Sequence, residues 1–159
     1  MPAPVLPPSA PVRHARPARR VVVSSVSSDS HTWNLVFLQL LVEETGAEVA
    51  NLGACVPDDL LLAECRRLRP DLVVISSVNG HGYLDGRRLI TRLRAEADLA
   101  DLPVVIGGKL GTQGPGDAAL GTGLLAAGFD AVFDDSGGVE EFQRYLDNPR
   151  QLLPGRAAS

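Results

Sequence analysis

The sequence predicts an α/β fold built on a doubly wound, five-stranded parallel sheet, and three observations lead there. Strand-like and helix-like segments alternate five times over about 130 residues, with little chain between them. The strand-like segments are β-branched and aliphatic, not alternating with polar residues, so both faces of the sheet must be covered. The stretches after four of them, "SSDSHTWN", "SSVNGHGY", "GGKLGTQGPG" and "DDSGGVEE", are rich in glycine and small polar residues, and none is a minimal turn.

The first strand, "RRVVVSS", rests on three consecutive valines, Val21 to Val23. "NLVFLQLLVEETG" follows as a helix, with Gly46 placed to cap its C-terminus. "AEVANLG" is the second strand. In the helix "VPDDLLLAECRRLRP", Pro57 stands near the start, two acids fill the first turn and arginines close the end, the order a helix dipole favours. "DLVVISSV" is a third strand, apolar on both faces. The helix around "LDGRRLITRLRAEA" sets Leu89, Ile90 and Leu93 against a face of arginines. "LPVVIGG", a glycine-rich loop, a short helix through "AALGTGLLAAG", the strand "DAVFDD" and the helix "GGVEEFQRYLDN" complete the series. The strand order expected is 2-1-3-4-5, flavodoxin-like within the broader Rossmann-like class. Its ligand crevice lies beyond the carboxyl ends of strands one and three, where the order reverses.

Composition narrows the function classes. With 159 residues, 45% of them hydrophobic, the chain can bury one sizeable core. No apolar run approaches the ~20 residues that span a bilayer, so no membrane partner is expected. The first nineteen residues are read as a disordered lead rich in proline and arginine, residues 20–150 as the folded domain, and residues 151–159 as a short flexible tail. Without the four arginines of "MPAPVLPPSAPVRHARPARR", the formal charge of −4 becomes about −8, which argues against nucleic acid. Cys55 and Cys65 form neither a disulfide framework nor a metal knuckle, and reduced thiols fit a cytoplasmic protein.

The chemistry concentrates in the first loop. In extended chain, residues i and i+2 project to one side. The carboxylate of Asp29 can therefore accept Nδ1–H of His31 and leave Nε2 free, which fixes the tautomer and raises ligand basicity. One histidine does not hold a metal ion by itself. It can be the single axial ligand to a metal already held by a macrocycle.

"SDSHTWN", "VVISSVNGHG" and "VVIGGKLG" together resemble the small cobalamin-binding chain of glutamate mutase (methylaspartate mutase). The family signature is Asp-x-His-x-x-Gly, then Ser-x-Leu, then Gly-Gly. The resemblance runs from about Arg20 to the end of the last helix, in the same order and with similar spacing. It implies that His31 ligates cobalt from below, displacing the dimethylbenzimidazole tail, with Asp29 behind it and Ser28, Ser30 and Thr32 around it. The tail would run into a cleft between strands one and three. Ser76, Ser77 and Val78 match the Ser-x-Leu segment beside that tail, and Gly107 and Gly108 would let the backbone close on it. Lys109, Leu110, Gly111, Thr112 and Gln113 match the next cofactor-contacting loop, and Ser136 and Gly137 would lie near the nucleotide end. Asn34 stands where the signature has glycine, and Val78 where it has leucine. If position 34 needs a positive φ, asparagine enters that region more readily than most residues. Trp33 would cover the corrin edge or the tail, or else be a surface-anchored core aromatic. His81 reads as a solvated loop residue.

The function implied is that of the small subunit of an adenosylcobalamin-dependent carbon-skeleton mutase, converting glutamate to 3-methylaspartate by a radical mechanism. A radical must be shielded from water, and this chain has neither a second domain nor arginines placed to grip a dicarboxylic acid. A separate catalytic large subunit, a barrel by family analogy, would supply both. A non-catalytic cobalamin sensor or a corrinoid carrier is the alternative. A flavodoxin-type electron carrier is disfavoured by 4% aromatics, and a signal receiver by Ser76 and Ser77 where a phosphoacceptor aspartate is needed. Deleting residues 1–19 is expected to leave the melting temperature and corrinoid affinity nearly unchanged, as measured by thermal melts and spectral titration.

Overall fold

A computed structural model describes residues 18–112, 118–134 and 137–148. Gln113, Ser136, most of the proline-rich lead and the tail lie outside the described residues. Five parallel strands, β1 (Arg20–Ser25), β2 (Glu48–Asn51), β3 (Leu72–Ser77), β4 (Val104–Gly108) and β5 (Ala131–Asp134), form one sheet in the order β2-β1-β3-β4-β5. The helices α1 (Trp33–Glu43), α2 (Asp58–Leu68), α3 (Gly82–Ala95), α4 (Ala118–Ala127) and α5 (Gly138–Asp147) alternate with them. This is the doubly wound topology that the β-branched strands imply. Among the described residues no helix is long and apolar enough to cross a membrane.

The period-two alternation of each strand divides the core in two. Val22, Val73, Ile75, Val104 and Ile106 face a layer that includes Leu61, Leu62 and Cys65 of α2, Leu89, Ile90 and Leu93 of α3, and Leu124 of α4. Val21, Val23, Leu72, Val74 and Val105 face Leu35 and Val42 of α1 and Phe142, Tyr145 and Leu146 of α5. Three helices thus cover one face and two the other.

Local chemistry explains the element ends. Asp58 and Asp59 occupy the first turn of α2, Arg66 and Arg67 its last, and Arg69 ends it in the left-handed region. Gly46, at φ +86°, turns the chain from α1 into β2. Just ahead of β1, the carbonyl of Arg19 accepts from the N–H of Glu48, the first residue of β2. Helix α3 begins at Gly82, two residues ahead of Leu84, where the segment read from the sequence starts. A Cβ on Gly82 would lie 2.9 Å from Leu110 Cδ2 and 3.0 Å from Ser77 Cβ. Its missing side chain lets the helix start pack on β3, and periodicity has nothing to read at such a position.

Gly108 ends β4 at φ +105°, and a Cβ there would stand 2.1 Å from the carbonyl oxygen of Ser77, its partner in the ladder. Backbone and ladder both exclude a side chain. Gly108→Ala is therefore expected to cost about 2–4 kcal/mol, read by chemical denaturation. Gly46→Ala, with nothing within 4 Å of the new Cβ, carries only the left-handed penalty of about 1 kcal/mol.

Candidate functional site

The loop from β1 to α1 turns on one carboxylate. Asp29 is fully buried, and its Oδ1 accepts from the backbone N–H of His31 at 3.0 Å and from His31 Nδ1 at 2.7 Å. Its Oδ2 accepts from the backbone N–H groups of Val78 at 2.6 Å and Asn79 at 3.2 Å. The expected Asp29–His31 pair is formed. The second pair of bonds, to the loop after β3, was not foreseen from the sequence. Burial opposes ionisation, but these donors outweigh it and hold the carboxyl below its ordinary value near 3.8. The imidazole of His31 is half-exposed, and among the described residues its Nε2 has no hydrogen-bond partner.

Neighbouring side chains brace this loop. Asn79 Nδ2 donates to the Ser28 carbonyl at 3.1 Å and to Ser28 Oγ at 3.0 Å, and Ser28 in turn donates to Asp85. Arg88 binds Asp85, Asp58 and Ser27 Oγ, each at 2.8 Å, so α3 supports the loop from behind. Ser30 is exposed, and Thr32 precedes α1 without a side-chain cap.

Beside this loop lies a cleft of about 420 Å³ between α1 and α5, floored by β3 and β4. Trp33, Asn34 and Phe37 line it from α1, Val74, Ser76, Val78, Gly107 and Lys109 from the sheet and its loops, and Phe133, Val139 and Phe142 from the far side. The cleft expected between strands one and three is displaced by one strand. Leu35 and Val42 of α1 cover the β1 valines, and the uncovered floor falls over β3 and β4.

Among the residues singled out in the sequence, Ser76, Val78, Gly107, Gly108 and Lys109 meet at the cleft. Ser77 and Leu110 do not. The Ser77 hydroxyl donates to Asn79 Oδ1 at 3.1 Å, and Leu110, beyond the end of β4, is buried in the opposite core layer. Gly111 and Thr112 pack against Gly80 in the loop after β3, and Gly137 precedes α5 at φ +152°. His81 is exposed ahead of α3. Asn34 sits in the first turn of α1, and the non-glycine residues with positive φ among the described residues are Cys55 and Arg69. The left-handed conformation considered for Asn34 is therefore absent. Its side chain is buried and donates to Ser76 Oγ at 2.7 Å. Phe37, Phe133, Val139 and Phe142 were missed as lining residues. For Phe37 a signal existed: α1 is apolar all round, exposing Trp33, Val36, Phe37 and Leu40 besides its buried face.

Comparison with known proteins decides the family. The family model described as the B12 binding domain matches residues 19–134. The chain belongs to the B12-binding domain family. Its curated relatives include the glutamate mutase sigma subunit of Fusobacterium nucleatum, 26% identical over 123 residues, which are 77% of this chain and 90% of the relative. Glutamate mutase sigma subunit 1 of Haloarcula marismortui is 29% identical over 141 residues, 87% of this chain and 91% of the relative. The fold is shared with a solved cobalamin-binding protein from Desulfitobacterium hafniense at TM-score 0.65 and 22% identity. That match spans 82% of this chain and only 60% of that one.

The B12-binding chain presents donors that fit a corrinoid. Among the described residues no three His, Cys, Asp or Glu side chains gather around a common point. His31 is thus suited to a metal whose other ligands come from elsewhere. The apolar cleft next to it, with the Oδ1 of Asn34 buried and without a partner among the described residues, suits a flat organic tail carrying polar edges.

Acid titration tests the role of Asp29. Its folded-state value is depressed, so its stabilisation is fully present above the ordinary value near 3.8 and is lost as pH falls through the lower folded-state value. Asp29→Asn replaces an acceptor-only carboxylate by an amide whose NH₂ must face buried N–H donors, and is expected to cost about 1–3 kcal/mol at neutral pH. It should also narrow the fall in melting temperature between pH 5 and pH 3. Thermal melts at both pH values check this, and parallel curves for the two proteins would exclude the ionised carboxylate as the cause.

Proposed function

We propose that the chain is the cobalamin-binding small subunit of an adenosylcobalamin-dependent glutamate mutase, active only with a separate catalytic chain. The observation that carries the reading is the Asp29–His31 pair, with Nδ1 tied at 2.7 Å beside an apolar cleft. The names of the curated relatives support it, as does their coverage, since the match spans most of their length. When bound, the cofactor supplies a cobalt–carbon bond that breaks homolytically to give the radical that starts a carbon-skeleton rearrangement.

The residues of the chain then divide the work. His31, through its free Nε2, would hold the cobalt of the bound cofactor. Asp29 keeps the proton of the imidazole on Nδ1 and pins its orientation, because its other oxygen is anchored to the loop after β3. Ser76 Oγ accepts from Asn34, which leaves its own proton for a ring nitrogen of the cofactor tail. Trp33, Phe37, Phe133 and Phe142 exclude water from that tail. Binding of glutamate and covering of the radical fall to the partner, a barrel-type large subunit. Arginines of the described helices such as Arg66, paired with Glu96 and Asp98, and Arg88, paired with Asp58 and Asp85, are already held by acids of this chain. Supplying a fork for a dicarboxylate would mean breaking such pairs.

Two measurements test the proposal. With bound corrinoid reduced to Co(II), the paramagnetic resonance spectrum should show coupling to one nitrogen. That coupling should change when protein histidine is labelled with nitrogen-15 and vanish in His31→Ala. Coupling that follows label in the cofactor base instead overturns the axial assignment. Mixed with adenosylcobalamin, glutamate and a large subunit, the chain should yield 3-methylaspartate, and alone it should yield none. Asp29→Asn should reduce cofactor affinity or turnover about 10–100-fold. Corrinoid binding without turnover in the presence of competent large subunits would favour the sensor or carrier alternative.

A further inference from the structure

We infer that Asn34 and Ser76 together read the base of the corrinoid tail, favouring a base with an exocyclic amine beside a ring nitrogen, as in adenine, over dimethylbenzimidazole. The inference rests on the cofactor reading above and concerns which corrinoid the cleft prefers. Its starting point is an imbalance. Asn34 is 5% exposed, and its Nδ2 is committed to Ser76 Oγ at 2.7 Å. Its Oδ1 is buried and has no partner among the described residues. Buried amide oxygens are rarely left unmatched, and each exception calls for an explanation. Here Asn34 lines a cleft whose other walls are mostly Phe37, Val74, Val78, Phe133 and Phe142, so a matching donor has to arrive with the occupant.

Ser76 supplies the complementary half. Its hydroxyl accepts from Asn34, and among the described residues its own proton has no acceptor. The cleft floor therefore offers a hydroxyl proton and an amide oxygen on two side chains that touch. Dimethylbenzimidazole can accept the proton at a ring nitrogen, but its base carries no N–H or O–H, so the amide oxygen stays unmatched. An aminopurine edge presents a ring nitrogen next to an NH₂ group and satisfies both, the nitrogen accepting from the Ser76 hydroxyl and the NH₂ donating to the Asn34 amide oxygen. The glycine of the family signature at this position has no amide to do so. The discrimination thus belongs to the residue by which this chain departs from that signature.

The test titrates the full chain with three probes: cobinamide, which lacks the nucleotide, cobalamin, and the cobamide whose lower base is adenine. The readout is quenching of Trp33, the single tryptophan, which lines the cleft. The adenine form should bind roughly 10–100-fold more tightly than cobalamin. In Asn34→Ala that ratio should fall close to one, with cobinamide affinity unchanged. Asn34→Gly provides a second variant with the same expected result, and thermal melts report whether each is folded. Equal affinities in the unmodified chain, a preference for cobalamin, or a preference that survives in the folded variants overturns the inference and leaves the cofactor reading intact. Failure of all three probes to bind overturns both.

Discussion

Four hydrogen bonds converge on the carboxylate of Asp29, two from His31 and two from the backbone after β3. A charge removed from water is tolerated only when its lone pairs are filled, and here they are filled from two loops that the sheet alone would not tie together. The same group thus joins the ends of β1 and β3 and fixes the ring of His31. Ser28, Asn79, Asp85 and Arg88 extend that tie into α3. The orientation of one exposed imidazole is in this way referred back to the paired strands β1 and β3 inside the sheet. A ligand held by a loop alone would wander; this one is held by a loop that has been stapled.

The distribution of helices explains why a cleft exists on only one face. Helices α2, α3 and α4 cover their side of the sheet, whereas α1 and α5 stand over its two flanks. The gap between them falls over β3 and β4, where Val74, Ser76 and Gly107 are left as floor. Small residues at that end of β4 keep the floor low, and aromatic residues from α1, β5 and α5 raise the walls. Trp33 and Phe37, two of the exposed large apolar residues, belong to those walls and are not stray surface hydrophobics.

Much of this could be read from the amino-acid sequence because it is local. Runs such as VVV and LVVIS, the acidic and basic ends of α2 and the Asp-x-His spacing each carry their meaning within a few residues, and the strand order follows from the alternation of units. What escaped reading depends on long-range packing. The bond from Asn34 to Ser76 joins residues 42 positions apart, and that from Asp29 to Val78 joins residues 49 apart. Phe133 and Phe142 reach the cleft only because β5 and α5 return to the sheet edge. Strand alternation also separates Ser76 from Ser77, assigning adjacent members of one motif to opposite faces. A motif names neighbours in the chain, and the pleat decides which of them share a room.

The pinched contact at Gly108 has a consequence for how such a site can diversify. With Ser77 carbonyl and strand backbone filling the space where a side chain would begin, the β4 end of the cleft admits no variation in residue size. Gly107 is nearly as confined, its absent Cβ falling 3.0 Å from the Phe133 carbonyl. That end of the floor is therefore set by main chain. New shapes at that end must come from side chains facing the glycines, so drift among descendants of this chain is channelled away from β4, and the first turn of α1 becomes one dial by which the site can change its tastes without disturbing its frame.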